Sequence, residues 1–201
     1  MKVKSTNELR DMYGEPGSRA AQKTLTRLDK HAKHFIEKSP FAVISTVDSH
    51  GKLDASPRGG SPGFVHITDD RQIIIPDAKG NNRVDSLSNI VETGQIGMLF
   101  MVPGVDETLR LNGSAHIATD PNLLALFTSE KNPPKACVVV DIDEVFLHCA
   151  KAFMRSRLWD PEARIERSEF PSMGQMLKDQ LGSKEDPESQ EAMVARYQDD
   201  L

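Results

Sequence analysis

The sequence predicts a mainly β domain with α additions, an antiparallel barrel carrying helices at its N- and C-terminal ends. Two observations predict it. About six or seven short apolar or alternating segments crowd between residues 41 and 148. The crossovers between them are too short for a repeated βαβ pattern, which argues against a doubly wound parallel sheet. No internal repeat and no low-complexity tract interrupts the chain.

The elements follow in order. Residues 1–17 are polar and include Gly14, Pro16 and Gly17, and are expected to form a loosely held arm. Ala20 to Lys38 reads as a helix, because Leu25, Leu28, Ala32, Phe35 and Ile36 recur at three- and four-residue spacings on one face. Ser39-Pro40 ends it, since the residue before proline avoids the α region. Phe41 to Val47 is a strand closed by the turn Asp48-Ser49-His50-Gly51. Leu53 to Arg58, Gly63 to Thr68 and Gln72 to Pro76 read as the next three strands. Asn82 to Thr93 is a short helix with Val84, Leu87, Ile90 and Val91 on one face, and Gln95 to Val102 is a nearly continuous apolar strand suited to a buried central position.

Thr108 to Ala118 alternates through Leu109, Leu111, Ala115 and Ile117. Asn112-Gly113 within it reads either as a hairpin turn or as a bulge. The alternation continues past it without a phase break, which favours the bulge. Pro121 to Thr128 is a short helix, Ala136 to Leu147 the last strand, and Cys149 to Trp159 helical or irregular. Two polar helices, Ser172 to Leu181 and Pro187 to Asp199, end the reading. The chain thus divides into an arm and helix over residues 1–39, a barrel over 40–150, and a helical tail over 151–201 that packs on the barrel or on a partner subunit.

With 201 residues, 38% hydrophobic and 27% charged, the chain suits one soluble domain with appendages. A net charge of -5 argues against a general nucleic-acid binder while allowing a local basic pocket. Cys137 and Cys149 read as reduced thiols. The N-terminal residues lack the apolar core of a signal peptide, and no apolar run is long enough for a membrane helix, so a cytoplasmic location is expected.

The chemistry concentrates in Ile73 to Ile90. An apolar strand runs into the loop Asp77-Ala78-Lys79-Gly80-Asn81-Asn82 and then into a helix that opens near Arg83 and Ser86. Free backbone N–H groups, a positive helix end, a guanidinium and a hydroxyl suit a phosphate. Ser56-Pro57-Arg58-Gly59-Gly60, at the end of an earlier strand, is either a turn-rich strand end or an arginine framed by small residues so that a ligand can approach. Arg110 points away from its flanking leucines, either to the outer surface or to a pocket. His31, His34 and Glu37 share a helical face, but nothing elsewhere completes a metal site, and no metal is expected. Nucleophile elbow, HExxH, P-loop and paired CxxC motifs are absent. His148 and Cys149 are neighbours in sequence, which sends their side chains to opposite sides of a strand and argues against a Cys–His catalytic pair. The stretch His148 to Pro161 packs Lys151, Arg155, Arg157 and Trp159 together, either as a surface helix anchored by its tryptophan or as a lid over a flat anion.

Taken together, Ser39-Pro40-Phe41-Ala42-Val43-Ile44-Ser45-Thr46, Asp54-Ala55-Ser56-Pro57-Arg58-Gly59, Ile75-Pro76-Asp77, Gly80 to Ile90 and Thr108 to Gly113 resemble the pyridoxamine 5′-phosphate oxidase-like, FMN-binding split-barrel family. The likeness spans about residues 35–160 and is nearest to a bacterial subgroup of unassigned substrate that shares the His-Cys-x-Lys-Ala tail motif. It implies an antiparallel split β-barrel and a homodimer with FMN at the subunit interface. By this resemblance Arg58, beside Ser56, reaches the phosphate, and Ile75, Pro76, Asp77, Asn82, Arg83 and Ser86 complete that site. Thr108 or Arg110 meets the flavin, Trp159 with Arg155 or Arg157 approaches from the partner, and Lys151 of the tail motif joins the cofactor-binding residues. The chain departs from the true oxidase. Gly59-Gly60 stands where a lysine follows the strand arginine, Asn82-Arg83 replaces an Arg-Lys pair, and the C-terminal substrate pattern is missing. These departures point away from pyridoxamine phosphate and leave the small-molecule substrate open. The implied function is FMN-dependent oxidoreduction with hydride transfer at flavin N5. The alternatives are a non-catalytic FMN- or haem-binding protein, with His66, His116 or His148 as haem ligands, an F420-dependent reductase, or an interaction module built on the polar C-terminal helices.

Overall fold

A computed structural model describes residues 2–18, 22–198 and 200. Seven antiparallel strands form a single sheet in the order β2-β1-β5-β6-β7-β4-β3. They are β1 Phe41–Val47, β2 Leu53–Gly59, β3 His66–Ile67, β4 Gln72–Pro76, β5 Gln95–Met101, β6 Thr108–Ala118 and β7 Cys137–His148. Among the described residues the α-helices are α1 Thr6–Tyr13, α2 Lys30–Lys38, α3 Asp85–Thr93, α4 Pro121–Leu124, α5 Lys151–Ser156, α6 Met173–Leu181 and α7 Gln190–Gln198. The sheet does not close: its end strands are β2 and β3, which leaves an antiparallel split barrel with flanking helices. Among the described residues no helix is long and apolar enough to cross a membrane.

Alternation in the strands becomes alternation in burial. β1 places Ala42, Ile44 and Thr46 inside, and β5 places Ile96, Met98 and Phe100 inside. All of these but Thr46 meet Leu109, Leu111, Val138, Val140 and Val145 in one core. Ala32 and Ile36 of α2, and Leu28 just before it, join the same core, so this helix is part of the barrel's packing. Ile90 does the same for α3.

The bulge reading of Asn112-Gly113 holds. The β6–β7 register shifts between these two residues, and β6 runs unbroken through them. A Cβ on Gly113 would sit 2.0 Å from the Asp141 carbonyl oxygen, so only glycine fits where the two backbones approach.

Four local expectations are corrected. The arm over residues 1–17 contains helix α1, because Ser5 accepts from the Glu8 N–H at 3.2 Å and Gly14 takes a positive φ of 69° at the C-terminal end. The helix expected from Ala20 starts at Lys30. Ala20 itself lies outside the described residues, and Leu25 is extended, exchanging backbone hydrogen bonds of 2.9 and 2.8 Å with Val145. Asp29 sets the start by accepting from the N–H groups of His31 and Ala32 at 3.0 and 2.8 Å. Replacing Asp29 with alanine is expected to lower unfolding free energy by about 0.5–2 kcal/mol, measurable by urea denaturation. The strand expected over Gly63 to Thr68 shrinks to His66–Ile67, because Gly63 has a φ of 82° and turns the chain. The helix expected from Asn82 begins at Asp85, since Asn82 and Val84 are left-handed with φ of 60° and 52°.

Candidate functional site

A cleft of about 840 Å³ opens in the split of the barrel. One wall is the end of β2 with Ser56, Arg58, Gly59 and Gly60. The other is the end of β4 and the loop after it, Pro76 to Val84, with the start of α3 as floor. These segments are far apart in the strand order and meet only because the sheet curls. The volume is in the range of small-molecule sites.

Arg58 is the principal cation. Its Nη1 donates to Ser56 Oγ at 2.6 Å and to the Pro57 carbonyl at 2.8 Å. That leaves Nε and Nη2 without a protein partner among the described residues, so the guanidinium is oriented yet has donors to offer an anion. Burial pulls its pKa below the ordinary arginine value, opposed by the charges of Asp77 and Asp54. Asp77 is the counterpart: burial raises its pKa above 3.8, opposed by Arg58. A carboxyl with a raised folded pKa stabilises the fold at low pH, and that contribution is lost as pH rises from 3.8 through the raised value. Asp77→Asn is therefore expected to raise the melting temperature at neutral pH relative to the parent, with the difference vanishing as pH falls toward 3.8, a trend thermal scans across pH would read.

Ser86 and Arg83 do not share a helical face as expected, because Arg83 precedes the helix. Arg83 folds onto Asp85, with Nε 2.9 Å and Nη2 2.8 Å from Oδ2. Ser86 is buried, and its hydroxyl donates to Asp54 Oδ2. Val84 caps α3 without a side-chain hydrogen bond, so the first-turn N–H groups remain available to an anion. Lys79, Lys131 and Asp200 also reach the lining, and Lys79 pairs with Asp200.

Of the residues expected at the site, Ser56, Arg58, Pro76, Asp77, Asn82, Arg83 and Ser86 line this one cleft. Ile75 does not: it is 1% exposed and belongs to the core, because β4 is covered on both faces, with Ile73 and Ile75 in the main core and Ile74 in a second cluster. Thr108, Arg110, Lys151, Arg155 and Trp159 are not in the lining either. Thr108 is buried on β6 opposite His148. Arg110 donates to Glu144 at 2.6 Å, lies 4.1 Å over the Phe146 ring, and leaves its buried Nε without a partner. Asn112 donates to the same Glu144 oxygen at 2.7 Å. Lys151 opens α5, Arg155 lies in its last turn, and both are exposed. Trp159 donates from its indole to the Val105 carbonyl at 2.9 Å, and its ring lies tilted with its centroid 5.5 Å from that of Phe153.

Sequence reasoning missed Asp54, Lys131 and Asp200. Asp54 lies 32 residues from the Ser86 it binds, and Asp200 lies 121 from Lys79. No motif spacing signals such contacts.

Comparison with known proteins agrees with the fold. Residues 28–149 match the family model described as pyridoxamine 5′-phosphate oxidase. HupZ of Group A Streptococcus is 20% identical, covering 60% of this chain and 93% of its own, with a TM-score of 0.51. A putative pyridoxamine 5′-phosphate oxidase from Lactobacillus delbrueckii is 18% identical, covering 62% of this chain and 99% of its own, with a TM-score of 0.50. No curated protein is a significant match.

Proposed function

The chain belongs to the pyridoxamine 5′-phosphate oxidase family, and from that premise we propose that the cleft holds the phosphate of FMN and that the protein is an FMN-dependent oxidoreductase. One observation carries the reading: Arg58, with unspent donors, faces the uncapped start of α3 across a cleft of mononucleotide size. The donor set fits a phosphate monoester. Arg58 would clamp two of its oxygens, Asn82 and Arg83 would close over it from the loop, and the first turn of α3 would point N–H groups at it. Gly59 and Gly60 leave the backbone open beside the guanidinium.

Bound flavin would supply hydride acceptance at N5, so the protein need contribute no nucleophile. Its own residues bind, orient and exclude water. We further propose a homodimer in which a second subunit brings Arg110, Lys151, Arg155 and Trp159 toward the flavin ring. What supports this is that these residues lie apart from the cleft that collects the phosphate residues. A cytoplasmic location, a small-molecule substrate and independence from nucleic acid or membrane belong to the same reading.

Titration of the purified protein with FMN, followed by flavin fluorescence, tests the proposal. The expected result is saturable binding, with riboflavin bound far more weakly because it lacks the phosphate. No FMN affinity, preferential binding of F420, or a Soret band on haem addition in place of flavin uptake would overturn it. Sedimentation of the flavin-saturated protein should show a dimer, and a saturated monomer would sink the second-subunit proposal.

A further inference from the structure

We propose that the segment carrying α7 is a displaceable strap across the cleft, whose Asp200 carboxylate stands in for the anionic ligand on Lys79. Lys79 lies in the loop between β4 and α3 and lines the cleft, as does Asp200 beyond the end of α7, and the two are ion-paired. A second tether lies beside it: Lys131, also in the lining, donates from Nζ to the Gln198 carbonyl at 2.7 Å. Two contacts, spanning 121 and 67 residues of chain, therefore fasten the same segment over one site.

The strap has the properties of something that lets go. α7 contains no buried residue among those described, so no apolar core holds it down. The side chains of its ion pair are 61% and 32% exposed, and an exposed pair is worth little. Arg83 is likewise occupied by Asp85. The cleft is thus partly self-neutralised, and an entering phosphate must exchange its charge for that of Asp200 on Lys79. A phosphate dianion brings more charge and more acceptor oxygens to the cations of this lining than the single Asp200 carboxylate does. Ligand binding and strap release are then linked, each favouring the other.

The inference rests on the cleft's taking a phosphate, and the test separates the two. Hydrogen exchange over residues 190–198 and ligand affinity are measured on the full chain and on Asp200→Asn, with inorganic phosphate and FMN as probes. Removing the carboxylate is expected to raise exchange without ligand and to tighten binding of either probe by up to about fivefold. In the parent, adding either probe should raise exchange over the same residues. If FMN does not bind but phosphate loosens the strap, the cofactor reading falls and the strap stands. If the probes bind with exchange unchanged, or if Asp200→Asn binds them no tighter, the strap is overturned. If neither probe binds, both fall together.

Discussion

Replacing Arg58 with glutamine is expected to weaken FMN binding by about 1.5–3 kcal/mol, or roughly ten- to a hundred-fold in Kd. Glutamine keeps length and polarity and loses the charge and the planar fork. The effect should be large because the guanidinium is already oriented by Ser56 and the Pro57 carbonyl, so little ordering is left to be done on binding. It should also be specific. Riboflavin affinity, which contains no phosphate contribution, should change far less, and the thermal midpoint should move little, since among the described residues Arg58 forms no ion pair within 4 Å that its loss would break. Equal losses for FMN and riboflavin would place the phosphate elsewhere.

The second expected result is of the opposite kind. Ile75→Ala should cost about 2–5 kcal/mol of stability, because the side chain is 1% exposed within the main core and the cavity left behind cannot collapse between paired strands. Ile75 pairs with Val138 of β7, so the loss falls on the strand that delivers Pro76 and Asp77 to the cleft. Urea denaturation reads the loss, and FMN affinity of the folded fraction should be little altered. A large affinity loss with stability intact would reverse that assignment and make Ile75 a binding residue.

These two residues show what was legible. Both belong to segments singled out from sequence, and both were expected at the cofactor. Arg58 lines the cleft because it lies near the end of β2 on the strand's half-buried face, beside Ser56, where that face meets the split. Ile75 stands one residue before the cleft, within a strand buried on both faces, and so belongs to the core instead. Family resemblance marks the segment, whereas the packing on either side of the strand decides which of its side chains is free. The start of α3 carries the same lesson. An arginine and a serine three residues apart suggested a shared helical face, but the left-handed backbone at Asn82 and Val84 delays the helix past Arg83, turning Arg83 onto Asp85 and leaving Ser86 to Asp54.

By itself the sequence determined most of the strands, the bulge at Asn112-Gly113, the family, and most of the segments that line the cleft. Each of these is written in near neighbours: a two-residue period, a glycine in an unbroken alternation, an apolar strand running into a glycine loop. Only the tertiary structure decided that β2 and β4 form opposite walls of one cleft, that Asp54 takes the Ser86 hydroxyl, and that Asp200 lies on Lys79. Such contacts depend on how far the sheet curls and where its tail returns. Those are properties of packing between distant segments, and no local pattern of residues encodes them.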